Sequence, residues 1–413
     1  MKGKVFLMLG VLFGVCAVSS CAFVAQGTES YVFVTKWGER GTAPGQFPEP
    51  PTLVTVGSDG NVYVGAGSSI HKFTPGGTFL DAFSPGIPLR GLAADGQGSI
   101  YVQGSVHAAA EKQGRPTWRE GLGGLFVFTE DGSLLREESD RYFCRGEFTR
   151  VNDMRWCCDG CAVAADPGGT IYVCDFQWGE WWACGDPELQ DWELVDSYEY
   201  YWINGLEFQV GSEDGCFGGS PGGIAVDYGG NIYVADTANH RIQEFTPGGV
   251  FLRSWGTAGS GQGRFNGPSG IAVEGSGKVY VADTANHRIQ KFTSEGVFLT
   301  KWGAEGSGAG EFASPMGVAL DSSGIVYVAD SNNFRIQKFR PTFAVDRLAY
   351  GPAGFTVVWV SQPGKSYQIW QSPDLSAWPS LPITVESQGD STSWTDDAAS
   401  HVQRRFYKIE LLP

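Results

Sequence analysis

An all-β chain is predicted from three observations. Glycine is abundant, at 59 of 413 residues, and is accompanied by 26 Phe, 15 Tyr and 14 Trp. No collagen period runs through these glycines, so the combination reads as many short strands joined by tight turns. Short apolar runs separated by turn residues also recur at a fixed interval: Asp236, Asp283 and Asp330 are spaced 47 residues apart, as are Trp255 and Trp302. Finally, a hydrophobic content of 42% is enough for a real core and excludes a disordered chain. The length accommodates two domains.

The first element is an export leader. Lys2 and Lys4 precede a mainly apolar run from Val5 to Val18, followed by the small residues Ser19 and Ser20. A basic start, a short apolar stretch and small residues at its end predict a signal peptide over 1–21. Val18-Ser19-Ser20-Cys21 resembles a degenerate lipobox, which makes Cys21 a lipidation candidate; plain cleavage near Ala22 is the alternative. The expected location is outside the cytoplasm: a cell-surface or outer-membrane lipoprotein, or a secreted protein. No later stretch approaches a membrane-spanning length, so a membrane is expected as a partner only through the lipid.

The repeats follow. Residues 223–256 read GIAVDYGGNIYVADTANHRIQEFTPGGVFLRSWG, and 270–303 read GIAVEGSGKVYVADTANHRIQKFTSEGVFLTKWG. Each holds four apolar runs, hence four strands, and a four-stranded unit of this period is a propeller blade. The words G-I-A-V-D, Y-V-A-D, N-H-R-I-Q-K-F and W-G resemble the NHL-repeat family, closely over about 223–340 and loosely before that. Earlier units begin at Leu53, Leu89 and Cys161, which gives six blades. The last unit runs into Pro341 without a fourth strand, whereas YVFVTKWGERG (31–41) copies the missing words. The N-terminal strand is therefore expected to close a six-bladed β-propeller over 31–341, removing a free sheet edge. From 342 to 413, short alternating runs (GFTVVWV, KSYQIWQS, LPITVES, RRFYKIEL) predict a small β-sandwich similar to fibronectin-like modules.

Formal charge is −16, and its distribution is uneven: from Trp156 to His240 there are fifteen Asp or Glu and no Lys or Arg. That stretch repels phosphate backbones, so nucleic acid is not an expected partner. It also contains the longer of two insertions expected on one face of the ring, at 105–121 and 176–196. Seven cysteines surround it: Cys144, Cys157, Cys158, Cys161, Cys174, Cys184 and Cys216. In an exported protein these are disulfide candidates that would staple a lid, and their odd number leaves one over. Cys158 and Cys161 have the spacing of one zinc knuckle, but no second pair accompanies them.

The lid is aromatic and acidic. Trp178, Trp181, Trp182 and Trp192 alternate with carboxylates that include Asp186 and Glu188. Such rings suit a neutral sugar or a cationic group, and equally a small core beneath the lid. Asp236, Asp283 and Asp330 each stand five residues before an arginine, Arg241, Arg288 and Arg335. The first two units lack both members, so these are read as structural pairs. Asp175 keeps the acid without the arginine and joins the candidate ligand-binding set. With Asp186 or Glu188 it could hold calcium, but no D-x-D-x-D-G spacing supports that, and no cofactor is expected.

An enzyme of the channel would need ligands on the inner strands, as in the lactonases and the peptide-amidating lyase that share this architecture. Here those strands read LVTV, GLAAD, VAAD, GIAVD, GIAVE and GVALD, with no histidine. No G-x-S-x-G elbow appears, and no catalytic residue is assigned. The expected role is a monomeric interaction protein presenting a rigid ring and an acidic, aromatic lid to a protein or glycan. A metal-dependent lyase or lactonase is the alternative.

Overall fold

The computed structural model describes the backbone of residues 6–12, 21–26, 30–112, 115–139, 162–166, 170–183, 193–203, 206–209, 211–219, 221–275, 277–341, 345–351, 354–361, 364–372, 383–389, 391–396 and 404–411. The chain is all-β, with two single-turn 3-10 segments as the only helical elements among the described residues. It divides into two compact units, Phe33–Phe339 and Met1–Val32 with Arg340–Pro413.

The larger unit is a β-propeller. Its first sheet runs Pro51–Val56, Val62–Ala66, Ser69–Phe73, Phe79–Phe83, with neighbours antiparallel. The second runs Leu89–Ala94, Ser99–Lys112, Arg115–Thr129, Leu134–Ser139, and the next Ala162–Ala165, Ile171–Ala183, Glu193–Ile203, Leu206–Gln209. Two regular sheets follow: Gly223–Val226, Ile232–Asp236, Arg241–Phe245, Phe251–Trp255, and then Pro268–Val273, Val279–Asp283, Arg288–Phe292, Phe298–Trp302. In the sheet of Pro315–Leu320, Val326–Asp330 and Arg335–Pro341, the fourth strand is Tyr31–Trp37 from the other end of the chain.

Second strands such as Ile232–Asp236 and Val279–Asp283 are buried at every position. They are covered on both faces by adjacent sheets, which is why their sequence is continuously apolar rather than alternating. Tyr63, Tyr233, Tyr280 and Tyr327 are fully buried within them. Their hydroxyls donate to carboxylates at the turn after the first strand, Asp59, Asp227, Glu274 and Asp321, at 3.0–3.3 Å. First strands pack edge to edge around the centre. A Cβ at Gly270 would lie 2.2 Å from the Met316 carbonyl oxygen, and one at Gly317 would lie 2.8 Å from that of Thr52. Only glycine permits that approach, which explains the first letter of the G-I-A-V word.

Within the inserted segments, residues 105–112, 115–121, 176–183 and 193–196 lengthen the second and third strands of their sheets, and Lys112 pairs with Arg115 and Ala183 with Glu193. The expectation of a loop-built lid is therefore corrected to a pair of hairpin arms.

The smaller unit holds two sheets. One orders Val345–Gly351, Gly354–Val360 and Ser391–Asp396; the other orders Cys21–Gln26, Phe6–Leu12, Arg404–Leu411, Ser366–Ser372 and Ile383–Glu386. Rings from the two sheets meet: Phe355 stacks on Tyr407 at 5.2 Å, and Trp359 meets Tyr367 at 5.5 Å. Within the segment expected as a leader, Phe6–Leu12 lies as a strand along Arg404–Leu411.

Candidate functional site

Four of the connections that lead from one sheet's fourth strand to the next sheet's first share one conformation. In each, a buried phenylalanine (Phe47, Phe217, Phe265 or Phe312) is an anchor, fully excluded from solvent. The loop closes by short-range bonds: Phe47 N–H donates to Glu39 O at 2.8 Å, Phe265 to Thr257 O at 2.9 Å and Phe312 to Ala304 O at 2.8 Å. Two residues before the phenylalanine, Gly45, Gly215, Gly263 and Gly310 have φ of 84, 85, 69 and 77°. That left-handed conformation favours glycine and accounts for the glycine-rich spacing after each W-G word.

A buried cluster fastens three of these loops. Asp236, Asp283 and Asp330 are fully buried and accept from the Nε of Arg241, Arg288 and Arg335 at 2.8, 2.7 and 2.6 Å. The structure thus brings together each acid with the arginine five residues later. Beyond that hairpin, each guanidinium reaches across to the preceding loop. Arg288 donates to the carbonyls of Ser260, Gly261 and Arg264 at 2.6–2.8 Å, and Arg335 to those of Ser307, Gly308 and Glu311 at 2.6–2.9 Å. Arg241 does the same with Ser212, Glu213 and Cys216 at 2.6–2.8 Å.

Gln243, Gln290 and Gln337 complete the cluster, unnoticed from sequence. Each donates to the same last carbonyl and accepts from the loop glycine, as in Gln290 to Arg264 O at 2.7 Å and Gly263 N–H to Gln290 at 3.0 Å. A charge buried against its carboxylate and bonded to three loop carbonyls makes the loop rigid before any partner arrives.

The first sheet departs from this pattern. Ala66 and Ser69 pair at the register of Asp236 and Arg241, and His71 stands where Gln243 stands. His71 is buried among Phe47, Phe73 and Phe79, with ring centroids 5.2–6.5 Å away, and neither ring nitrogen has a partner. Burial holds its imidazole below the ordinary value. In the sheet of Ile171–Ala183, Asp175 lies opposite Trp202.

Along that hairpin arm the register sets Trp178 opposite Glu199, Trp181 opposite Asp196 and Trp182 opposite Leu194. Aromatic residues therefore face acidic ones across the ladder at two of these positions. Asp186, Glu188 and Trp192 lie outside the described residues, as do Cys144, Cys157, Cys158, Cys161 and Cys184. Cys174 lies opposite Ala162 in the ladder. Cys216 is half-buried and a free thiol among the described residues. It lies on one of the fastened loops, and its carbonyl is already committed to Arg241 and Gln243 at 2.7 Å. Cys21 begins the strand Cys21–Gln26. Among the described residues, no three His, Cys, Asp or Glu side chains are grouped as metal ligands. None of their helices is long and apolar enough to cross a membrane.

Comparison with known proteins follows these features. The NHL repeat family matches residues 219–245, 265–292 and 312–339, the three regular sheets. No curated protein matches the chain in sequence. Among solved structures, a protein of unknown function from Bacteroides thetaiotaomicron aligns over 83% of this chain and 91% of its own, with 12% identity and a TM-score of 0.50. A streptogramin B lyase aligns over 75% of this chain and 98% of its own, at 11% identity and a TM-score of 0.42. The WD40 propeller domain of Doa1 aligns over 75% and 97%, at 12% identity and 0.41. Such identities carry the fold and nothing of the chemistry. The chain is a β-propeller that carries NHL repeats.

Proposed function

We propose that this chain is an exported interaction protein whose propeller presents pre-fastened loops and an acidic, aromatic hairpin arm to a protein or glycan ligand. The observation that carries this reading is the repeated Asp–Arg–Gln cluster, which fixes the connecting loops by bonds to their own backbone. Loops held this way lose little conformational entropy on binding, which favours recognition over a mobile surface. The arm of 176–196 extends from the same strand ends as the clusters and sets tryptophans opposite carboxylates in its register.

The ring is read as six-bladed and closed by Tyr31–Trp37. Support comes from the strand order of the sheet that takes in Tyr31–Trp37 and from the approach of Gly317 to Thr52. The smaller unit is read as a β-sandwich, supported by the ring contacts between its two sheets. The leader and a lipid on Cys21 complete the reading, with Arg404–Leu411 losing its Phe6–Leu12 neighbour on processing.

The mature chain from residue 22 onward, immobilised and tested against a glycan array and extracellular protein fractions, decides the matter. A saturable ligand whose binding falls at least about tenfold on Trp178→Ala with Trp181→Ala supports the reading. Absence of any saturable ligand, or indifference to both substitutions, overturns it. N-terminal mass spectrometry of the exported protein tests the leader independently: an unprocessed Met1 contradicts export.

A further inference from the structure

The first connecting loop is built to hold a guanidinium and has none of its own. Gly41 N–H donates to Phe47 O at 3.0 Å and Gln46 N–H to Ala43 O at 2.9 Å, the same bonds that Gly259 and Arg264 make in a fastened loop. The glycines agree too: Gly41 and Gly45 have φ of 158 and 84°, against 156 and 77° for Gly306 and Gly310. The carbonyls of Thr42, Ala43 and Gln46 therefore occupy the places of those that Arg241, Arg288 and Arg335 bind. Ser69 stands at the arginine register and is too short to reach them.

Two further features mark the place. His71, at the register of the loop-bonding glutamines, is 8% exposed, and both its ring nitrogens lack partners. In the fastened loops, the glutamine at this register and the guanidinium bond the same carbonyl, so His71 stands at the register beside the guanidinium's place. The missing aspartate has a nearby counterpart: Glu49 is exposed, and its stem lies against the hairpin tip, where a Cβ at Gly67 would come within 2.7 Å. Residues 42–44 are exposed to solvent and Gln46 is half-buried.

We propose that this cradle takes an arginine side chain from a protein partner, repeating in trans the contact that the other loops make in cis. It rests on the interaction reading above and names the chemistry of one contact. The three backbone carbonyls, arranged as in the fastened loops, offer acceptors only. A planar guanidinium with five donors fits such a set, and a point-like ammonium does not.

Ligand-observed NMR with N-acetyl-arginine amide and N-acetyl-lysine amide on the full chain tests it. The arginine probe is expected to saturate with a dissociation constant on the order of 1 mM, and the lysine probe to bind about tenfold more weakly. Ala66→Asp with Ser69→Arg rebuilds the internal clamp and should abolish binding while raising the melting temperature. His71→Phe keeps the aromatic packing, removes the acceptor and should weaken binding. Equal binding of the two probes, no saturation by the arginine probe, or undiminished binding in either variant overturns the proposal. If the cradle fails but a ligand of the hairpin arm is found, the interaction reading stands without it.

Discussion

Ser331 Oγ donates to the Pro51 carbonyl at 2.7 Å, joining residues 280 positions apart in the chain. It is the third of a series. Thr237 donates to Pro268 O at 2.7 Å and Thr284 to Pro315 O at 2.8 Å, each across 31 residues. The hydroxyl after the Y-V-A-D word thus staples each sheet to the first strand of the next. The bond from Ser331 joins the sheet of Pro315–Leu320 to the strand Pro51–Val56.

Ser331→Ala should therefore destabilise the propeller by about 1–3 kcal/mol, because it leaves a buried carbonyl without its donor. The effect should match that of Thr284→Ala in urea unfolding. A Ser331→Ala change within error of wild type would mean that the bond across the chain ends contributes nothing.

Arg288→Ala removes a guanidinium that meets one fully buried carboxylate and three loop carbonyls. Leaving Asp283 charged and unpaired should cost about 3–5 kcal/mol. Arg288→Lys should recover only part of that, because an ammonium cannot span the carboxylate and the loop together. Full recovery by lysine, measured by denaturant midpoint, would contradict the geometric role.

Gly270→Ala drives a methyl group to 2.2 Å from the Met316 carbonyl oxygen. The inner strands would have to separate, at about 1–3 kcal/mol. Gly248→Ala is the control, since its nearest atom would be Thr246 Oγ1 at 3.8 Å. Calorimetry should show a lowered Tm for the first and almost none for the second.

His71 makes stability depend on pH with a defined sign. Burial depresses its folded-state value below that of an ordinary imidazole, so the unfolded chain takes up a proton first as pH falls. Its contribution is complete above the unfolded value and is lost as pH drops through and below it. His71→Gln, the residue that the three regular sheets carry, should flatten that decline and raise stability by about 1 kcal/mol through new bonds to the loop. Urea midpoints at about pH 5 and 7.5 measure both effects.

With Cys216 free, six of the seven candidate cysteines remain for pairing. Alkylation of the denatured, unreduced exported chain should label Cys216 alone in the propeller. Labelling at three or more of those positions would contradict a stapled loop region.

Some of this was legible in the residues. The period from Asp236 to Asp330 revealed the sheets, and the Tyr31–Trp37 words revealed the borrowed strand, because each depends on local pattern. The pairing of Asp236 with Arg241 could be read because both lie on one hairpin. The insertions were read as a lid from their aromatic and acidic composition, and their continuation of the flanking strands was not anticipated. Gln243 and its counterparts were missed, although their fixed place in the R-I-Q word was a usable signal. A buried polar residue repeated at one register needs a partner, and that partner lay in the preceding loop.

Sequence by itself determined the all-β class, the repeat and the strand inventory, since hydrophobic alternation and turn residues act over a few positions. Tertiary structure alone decided what the buried polar groups meet. The guanidinium of Arg288 fastens a loop 24 to 28 residues earlier, and Ser331 finds Pro51 from the opposite end of the chain. The same packing leaves His71 without a partner and the first loop without its arginine. Hydrogen bonds of this kind depend on distances fixed only once the sheets have packed, and no local propensity encodes them.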